Sequence, residues 1–77
     1  MIFDKVAKLI AEQFGLDEEN LTEETTFEEL GADSVDIMEL SMSLEEEFNI
    51  EELEEEDLSA IHTVGDLVNA LQNKLGA

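Results

Sequence analysis

The residue best placed to do chemistry is Ser34, which lies in the stretch GADSVD at residues 31–36. Gly31 permits a tight turn, and the apolar pattern that follows places Ser34 in the first turn of a helix. Backbone N–H groups of a first turn are unpaired, and the helix dipole favours an anion there. A phosphate esterified to the Ser34 hydroxyl would therefore lie in a favourable field. The plainer alternative is that Ser34 only opens the helix, which is the commoner role of a serine so placed.

A nucleophilic serine hydrolase is the enzymatic alternative, and the sequence argues against it. The Gly-x-Ser-x-Gly elbow is absent, and a nucleophilic serine needs a base with an oriented partner. The one histidine is His62, which the pattern places in a surface turn before the last helix. The chain has no cysteine, so thiolate chemistry and disulfides are excluded. We expect no catalytic residue and no enzymatic activity.

The charge balance excludes several classes of partner. The chain has 22 Asp and Glu against 3 Lys and Arg, which gives a formal net charge of −19. Such a chain is repelled by nucleic acid and by anionic membranes, and it attracts basic protein patches and cations. No apolar run approaches the roughly 20 residues of a membrane span, and no secretory signal pattern is present. These features predict a soluble, cytoplasmic protein.

Acidic residues are densest at residues 45–57, where nine of thirteen are Asp or Glu. Their spacing fits no calcium-binding loop, and a single histidine excludes a multi-histidine metal site. We expect diffuse binding of divalent cations and no dedicated metal site.

Three apolar segments of helical period position these residues. The first carries Phe3, Val6, Ile10 and Phe14 and can end at Gly15. The second runs from Ser34 to Phe48, with Asp33 as its N-cap. The third carries Val64, Leu67, Val68, Leu71 and Leu75, begins at a capping box of Thr63 and Asp66, and ends before Gly76.

The connections between these helices carry their own apolar residues. The long connection at residues 16–33 must be tied down or functional, and Thr26 followed by Glu29 predicts one short helical turn within it. Its expected anchors are Leu16, Leu21, Phe27 and Leu30. A short helix is expected between Phe48 and His62, anchored by Leu53, Leu58 and Ile61. At 77 residues there is room for one domain, spanning 1–77. The predicted fold class is all-α, a bundle of three main helices and one short helix.

The middle helix has two apolar stripes at about 100° per residue. The core stripe consists of Ile37, Leu40, Leu44 and Phe48. A second stripe of Val35, Met38 and Met42 points elsewhere, with Glu39, Glu45 and Glu46 among or beside it. For Val35 and Met42 the acidic neighbours favour exposure, whereas the pattern leaves burial and exposure of Met38 equally open. An exposed strip of valine and adaptable methionine bordered by glutamate indicates a protein docking surface.

The stretches GADSVDIMEL at residues 31–40, LEEEF at 44–48 and TVGD at 63–66 together resemble the acyl carrier proteins of dissociated (type II) fatty acid synthesis. The resemblance extends over essentially the whole chain. It implies a four-helix carrier with 4′-phosphopantetheine attached to Ser34, next to the motif residue Asp33. A separate Mg²⁺-dependent phosphopantetheinyl transferase would install this arm from coenzyme A.

The resemblance also implies how such a carrier works. Acyl groups would be held as thioesters on the arm and could shelter between the helices, while fatty acid synthesis enzymes with basic patches dock on the middle helix. The chain would act as a monomer. The predicted docking residues are Val35, Asp36, Met38, Glu39, Met42, Glu45 and Glu46.

Two departures from the family pattern are visible. Val35 stands where leucine is usual, and the segment after Phe48 lacks the common proline and is one residue longer, which leaves the start of the short helix open. A dedicated carrier for polyketide, nonribosomal peptide or other specialised acyl transfer is the alternative within the class. An acidic interaction or cation-buffering module with an unmodified serine is the alternative outside it.

Overall fold

The structure, a computed structural model, describes residues 2–76. These residues form helices α1 (Ile2–Phe14), α2 (Ser34–Phe48), α3 (Glu55–Ser59) and α4 (Val64–Gly76), with a 3-10 turn at Glu18–Asn20. The predicted all-α bundle of three main helices and one short helix is confirmed. The start of the short helix, which the sequence left open, is Glu55.

Helix α1 lies at the centre of the packing, because it contacts α2, α4 and the 3-10 turn. Its apolar stripe supplies Val6 and Ile10, which are fully buried against Leu40, Leu44 and the apolar face of α4. Helix α3 is not among the elements that share extensive contacts. It is held instead by the buried residues on either side of it, Leu53 and Ile61, and by the half-buried Leu58.

The long connection between α1 and α2 is tied to the start of α4. The backbone N–H of Phe27 donates to the carbonyl of His62 at 3.0 Å, and the N–H of Val64 donates to the carbonyl of Thr25 at 2.9 Å. Thr26 and Thr63 form an isolated antiparallel bridge between these segments. Leu21 and Phe27 anchor the connection in the core as predicted.

Two local predictions, the Leu16 anchor and the end of α4, are wrong in detail. Leu16 does not anchor the connection, because it is 39% exposed after the turn at Gly15. Thr26 and Glu29 exchange hydrogen bonds and begin a turn at residues 27–31, in the place where one short helical turn was predicted. Helix α4 includes Gly76 instead of ending before it, and Leu75 in its last turn is 42% exposed.

Candidate functional site

Ser34 is the first residue of α2 and is exposed. The cap is provided by Asp33, whose Oδ1 accepts from the N–H groups of Val35 and Asp36, each at 3.0 Å. The Asp36 carboxylate accepts in return from the Asp33 N–H at 3.1 Å, which completes a capping box. The helix is therefore capped without the Ser34 hydroxyl, which is available for modification.

The N–H groups of Val35 and Asp36 donate to Asp33, as its predicted role as N-cap requires. The expectation that the first-turn N–H groups are unpaired therefore fails for these two. The first turn thus offers an exposed hydroxyl on a fixed backbone rather than a set of unpaired donors.

The backbone around Ser34 is held from two sides. Gly31 has a φ of 74°, a left-handed conformation that glycine adopts without strain, and it turns the chain into the helix. From the other side, the Gln13 side chain near the end of α1 donates to the carbonyl of Asp36 at 3.2 Å. The position of Ser34 is thereby fixed relative to both α1 and α2.

A largely apolar cleft opens directly beside Ser34, between α2 and the segment that carries α3. Its volume is about 620 Å³. Ser34 lies on its wall with the apolar residues Ile37, Met38, Leu53 and Leu58 and the polar residues Glu52, Glu55 and Ser59. A second cleft of about 500 Å³ lies on the other side of Leu53, where Ser41 and Met42 contribute to its wall. Met38, Leu53 and Leu58 belong to both clefts, so these side chains separate the two spaces.

The second apolar stripe of α2 is exposed, as predicted for Val35 and Met42. Val35 is 57% exposed, Met42 is 59% exposed, and Met38, for which the pattern left both outcomes open, is 51% exposed. Glu39 and Glu46 are exposed as well. These five residues (Val35, Met38, Glu39, Met42, Glu46) are called the docking strip below.

Two further residues predicted for docking are engaged within the chain. Asp36 is half-buried and closes the capping box. Glu45 is also half-buried, and its Oε2 accepts from the backbone N–H of Leu53 at 2.8 Å. Sequence spacing could not reveal this second contact, because it depends on the path of the connection after α2.

The charge of α2 is almost unneutralised. Within residues 2–76 one ion pair is formed, between Lys5 Nζ and Glu47 Oε2 at 3.9 Å, and the same ammonium lies 5.6 Å from the centre of the Phe48 ring. This pair is exposed, at the border of α1 and α2, and leaves the docking strip negative.

Two carboxyl groups outside residues 31–36 have a lowered pKa. Hydrogen bonds from the backbone N–H groups of His62 and Thr63 lower the pKa of Asp66. Hydrogen bonds from the backbone and hydroxyl of Thr26 lower the pKa of Glu29. His62 is exposed in the turn before α4, as predicted. In the part of the chain that the structure describes, no cluster of three or more potential metal ligands is formed and no helix is long and apolar enough to cross a membrane.

The fold and the site define a class of protein. A small acidic helical bundle that presents an exposed serine hydroxyl, beside an apolar cleft and an exposed apolar strip, is suited to bear an attached group and present it to other proteins. Such a protein is a carrier rather than a catalyst.

Comparison with known proteins identifies the family. A family model described as a phosphopantetheine attachment site matches residues 4–71, and the chain belongs to this family. The acyl carrier protein of Thermotoga maritima is 45% identical over 76 residues, which cover 97% of this chain and 93% of that relative. A crystal structure of the acyl carrier protein from Thermotoga maritima matches with a TM-score of 0.82 at 40% identity, covering 95% of this chain and 85% of that one.

Family membership confirms two predictions, that the chain is a carrier and not an enzyme and that 4′-phosphopantetheine is its cofactor. The residues present fit this group. The Ser34 hydroxyl is exposed and is not needed by the helix cap, and the cleft beside it is mostly apolar.

Proposed function

We propose that Ser34 bears the 4′-phosphopantetheine arm and that the chain carries acyl intermediates of fatty acid biosynthesis. The observation that supports this most directly is the division of roles at the start of α2, where Asp33 caps the helix and leaves the neighbouring hydroxyl exposed. Ser41, further along the same helix, is less suitable, since it is 2% exposed and its hydroxyl donates to the Met38 carbonyl at 2.8 Å. The name of the relative from Thermotoga maritima agrees with the acyl carrier role.

When bound, the arm supplies a terminal thiol that holds acyl groups as thioesters, chemistry that a cysteine-free chain lacks. The chain's own residues provide the anchor and the shelter. Asp33 and Asp36 fix the first turn that carries the attachment oxygen. The side chains of Ile37, Met38, Leu53 and Leu58 offer an apolar wall next to that oxygen, on which an acyl tail can lose contact with water.

The docking strip is the proposed surface for partner enzymes, namely the phosphopantetheinyl transferase and fatty acid synthesis enzymes with basic patches. Exposed Val35 and Met42 supply apolar contact, while Glu39 and Glu46 attract basic side chains. We assign Asp36 and Glu45 to the edge of this surface, because their carboxylates already accept hydrogen bonds from the chain itself.

Four broader features belong to the same proposal. Residues 1–77 would act as one carrier domain, and it would act as a monomer, since a net charge of −19 opposes association of identical copies. The same charge disfavours nucleic acid as a partner. Since the proposed partners are fatty acid synthesis enzymes, the protein would act in the cytoplasm with them.

Intact-mass measurement tests the attachment site. Incubated with coenzyme A, Mg²⁺ and a phosphopantetheinyl transferase, the chain should gain one phosphopantetheine group, and Ser34→Ala should gain none. Ser41→Ala is the matched control and should be modified like the unaltered chain. Modification of the Ser34→Ala variant would overturn the assignment.

A further inference from the structure

The contact between Glu45 and Leu53 joins α2 to the connection that follows it. Glu45 Oε2 accepts the Leu53 N–H at 2.8 Å, eight residues further along the chain. The backbone carbonyl of Glu45 also accepts the N–H of Ile50 at 3.1 Å. One residue of α2 therefore holds the connection at two points, once near its start and once where Leu53 enters the core.

Leu53 is the residue through which this contact reaches the proposed acyl-binding surface. It is 3% exposed and lies on the wall of both clefts between α2 and the α3 segment. Helix α3 is only five residues long and shares few contacts with the other helices, so its position depends on the residues that flank it. The position of the Leu53 side chain thus sets one boundary of the cleft beside Ser34.

We propose that Glu45 is a positioning residue that holds Leu53 and thereby closes the cleft around an acyl tail. This inference rests on the proposed function. It separates Glu45 from the docking strip, because the carboxylate acts through its hydrogen bond to the chain and not through its charge toward a partner. Glu46, the next residue along, is exposed and belongs to the strip.

The two roles predict opposite behaviour for the conservative variant. In Glu45→Gln the side chain keeps an oxygen that can accept the Leu53 N–H but loses its charge. A positioning role survives this substitution, whereas a role in charge attraction does not. Glu45→Ala removes both the accepting oxygen and the charge. Glu46→Gln removes one charge from the same turn and leaves the bond to Leu53 in place.

The first measurement is amide hydrogen exchange on the unmodified chain. Exchange at Leu53 should become about tenfold faster or more in Glu45→Ala, the factor expected when one hydrogen bond to a charged group is lost. Glu45→Gln should show a clearly smaller increase, and Glu46→Gln should match the unaltered chain. Unchanged exchange at Leu53 in Glu45→Ala would overturn the proposal.

The second measurement is cleavage of the loaded thioester by hydroxylamine, compared for octanoyl and acetyl groups. An octanoyl tail has apolar surface to bury and an acetyl group has almost none. Glu45→Ala should cleave several-fold faster than the unaltered chain when it carries octanoyl and at the same rate when it carries acetyl, and Glu45→Gln should restore protection. A general loss of folding would accelerate both thioesters, and that result would contradict the proposal.

Failure of the inference and failure of the proposed function give different results. If Ser34 accepts no arm, the attachment proposal fails, while the exchange measurement still decides whether Glu45 holds Leu53. If the arm is attached and octanoyl protection follows charge, being lost in both Glu45→Gln and Glu46→Gln, the Glu45 inference alone fails.

Discussion

The N–H of Gly65 donates to the carbonyl oxygen of Glu23 at 2.9 Å, and a Cβ atom built at Gly65 would lie 2.9 Å from that same oxygen. The long connection before α2 and the first turn of α4 are therefore in direct backbone contact, with no room for a side chain at Gly65. This approach helps to hold the connection that leads to Ser34.

Gly65→Ala should destabilise the protein, because a backbone oxygen cannot move aside as a flexible side chain can. We expect a net loss of about 1–2 kcal/mol in the free energy of unfolding, since the steric cost exceeds the gain in helix propensity. Gly76→Ala is the control, because a Cβ there meets no atom within 4 Å among the described residues. Urea denaturation measures both, and equal stability of the two variants would show that the close approach is not rigid.

Reversal of charge on the docking strip should separate docking from folding. Glu39→Lys combined with Glu46→Lys should stay helical and at least as stable, because both side chains are exposed and two repulsive charges are removed. Loading by the transferase should slow about tenfold at low salt, since charge steering is lost. Circular dichroism and loading rate against ionic strength test this, and loading as fast as the unaltered chain at low salt would exclude a docking role for these charges.

Met42→Ala should weaken the same encounter by a different route. Met42 is 59% exposed, so its truncation removes apolar contact without altering the core or the charge. Dissociation from the partner should accelerate by roughly fivefold to thirtyfold, the usual range for an apolar anchor, while the salt dependence of association is retained. Surface binding kinetics with the transferase distinguish the two effects. A changed association rate with unchanged dissociation would contradict the assignment.

The capping box at the start of α4 predicts a pH dependence of known sign. Asp66 has a pKa below its ordinary value of 3.8 because its carboxylate accepts from the backbone of His62 and Thr63. The contribution of Asp66 to the free energy of unfolding is therefore present above the pKa that this carboxyl has in the unfolded chain. It is lost as pH falls through the lower pKa of the folded state. In Asp66→Asn the amide oxygen can still accept these bonds, so the variant should lose about 1 kcal/mol of stability at pH 7, the usual difference between hydrogen bonds to a charged and to a neutral acceptor.

This loss of stability should shrink as pH falls below 3.8, because the unfolded chain then binds a proton at Asp66 before the folded chain does. Glu56→Gln is the control, because it removes one exposed charge and reports the general relief of repulsion. Thermal unfolding between pH 7 and pH 3 measures the difference between the variants. A deficit that grows on acidification would contradict the assigned sign.

Repulsion among the acidic residues should limit the stability of the whole chain. The chain has 22 acidic residues and a net charge of −19, and residues 2–76 contain a single ion pair, between Lys5 and Glu47. Both NaCl and Mg²⁺ should raise the thermal midpoint at neutral pH, because they screen or neutralise this repulsion. A midpoint independent of ionic strength would show that repulsion is not limiting.

Much of the fold followed from local sequence signals. The bounds of α2 were predicted correctly because Asp33 is a strong N-cap and the core stripe ends at Phe48. The exposure of Val35 and Met42 followed from their acidic neighbours. The 3-10 turn at Glu18–Asn20 was not predicted, because three polar residues carry no apolar period.

The contacts made by the segments between the helices could not be predicted from the sequence, for a different reason. The bond from Leu53 to Glu45 and the approach of Gly65 to Glu23 join residues whose distance depends on how whole segments pack. The types of these residues do not indicate which residue each of them contacts. The sequence therefore placed Glu45 in the right helix but could not show its contact with Leu53.

The separate roles of Asp33 and Ser34 have a consequence for the working cycle of a carrier. Because the helix start is stabilised by the aspartate, chemical change at the adjacent hydroxyl leaves the hydrogen bonds that define α2 intact. The unmodified form, the form that bears the arm and the form that carries an acyl group can then share one backbone conformation and one outer surface. Successive enzymes would meet the same molecule at every stage and distinguish its forms only by what the arm presents.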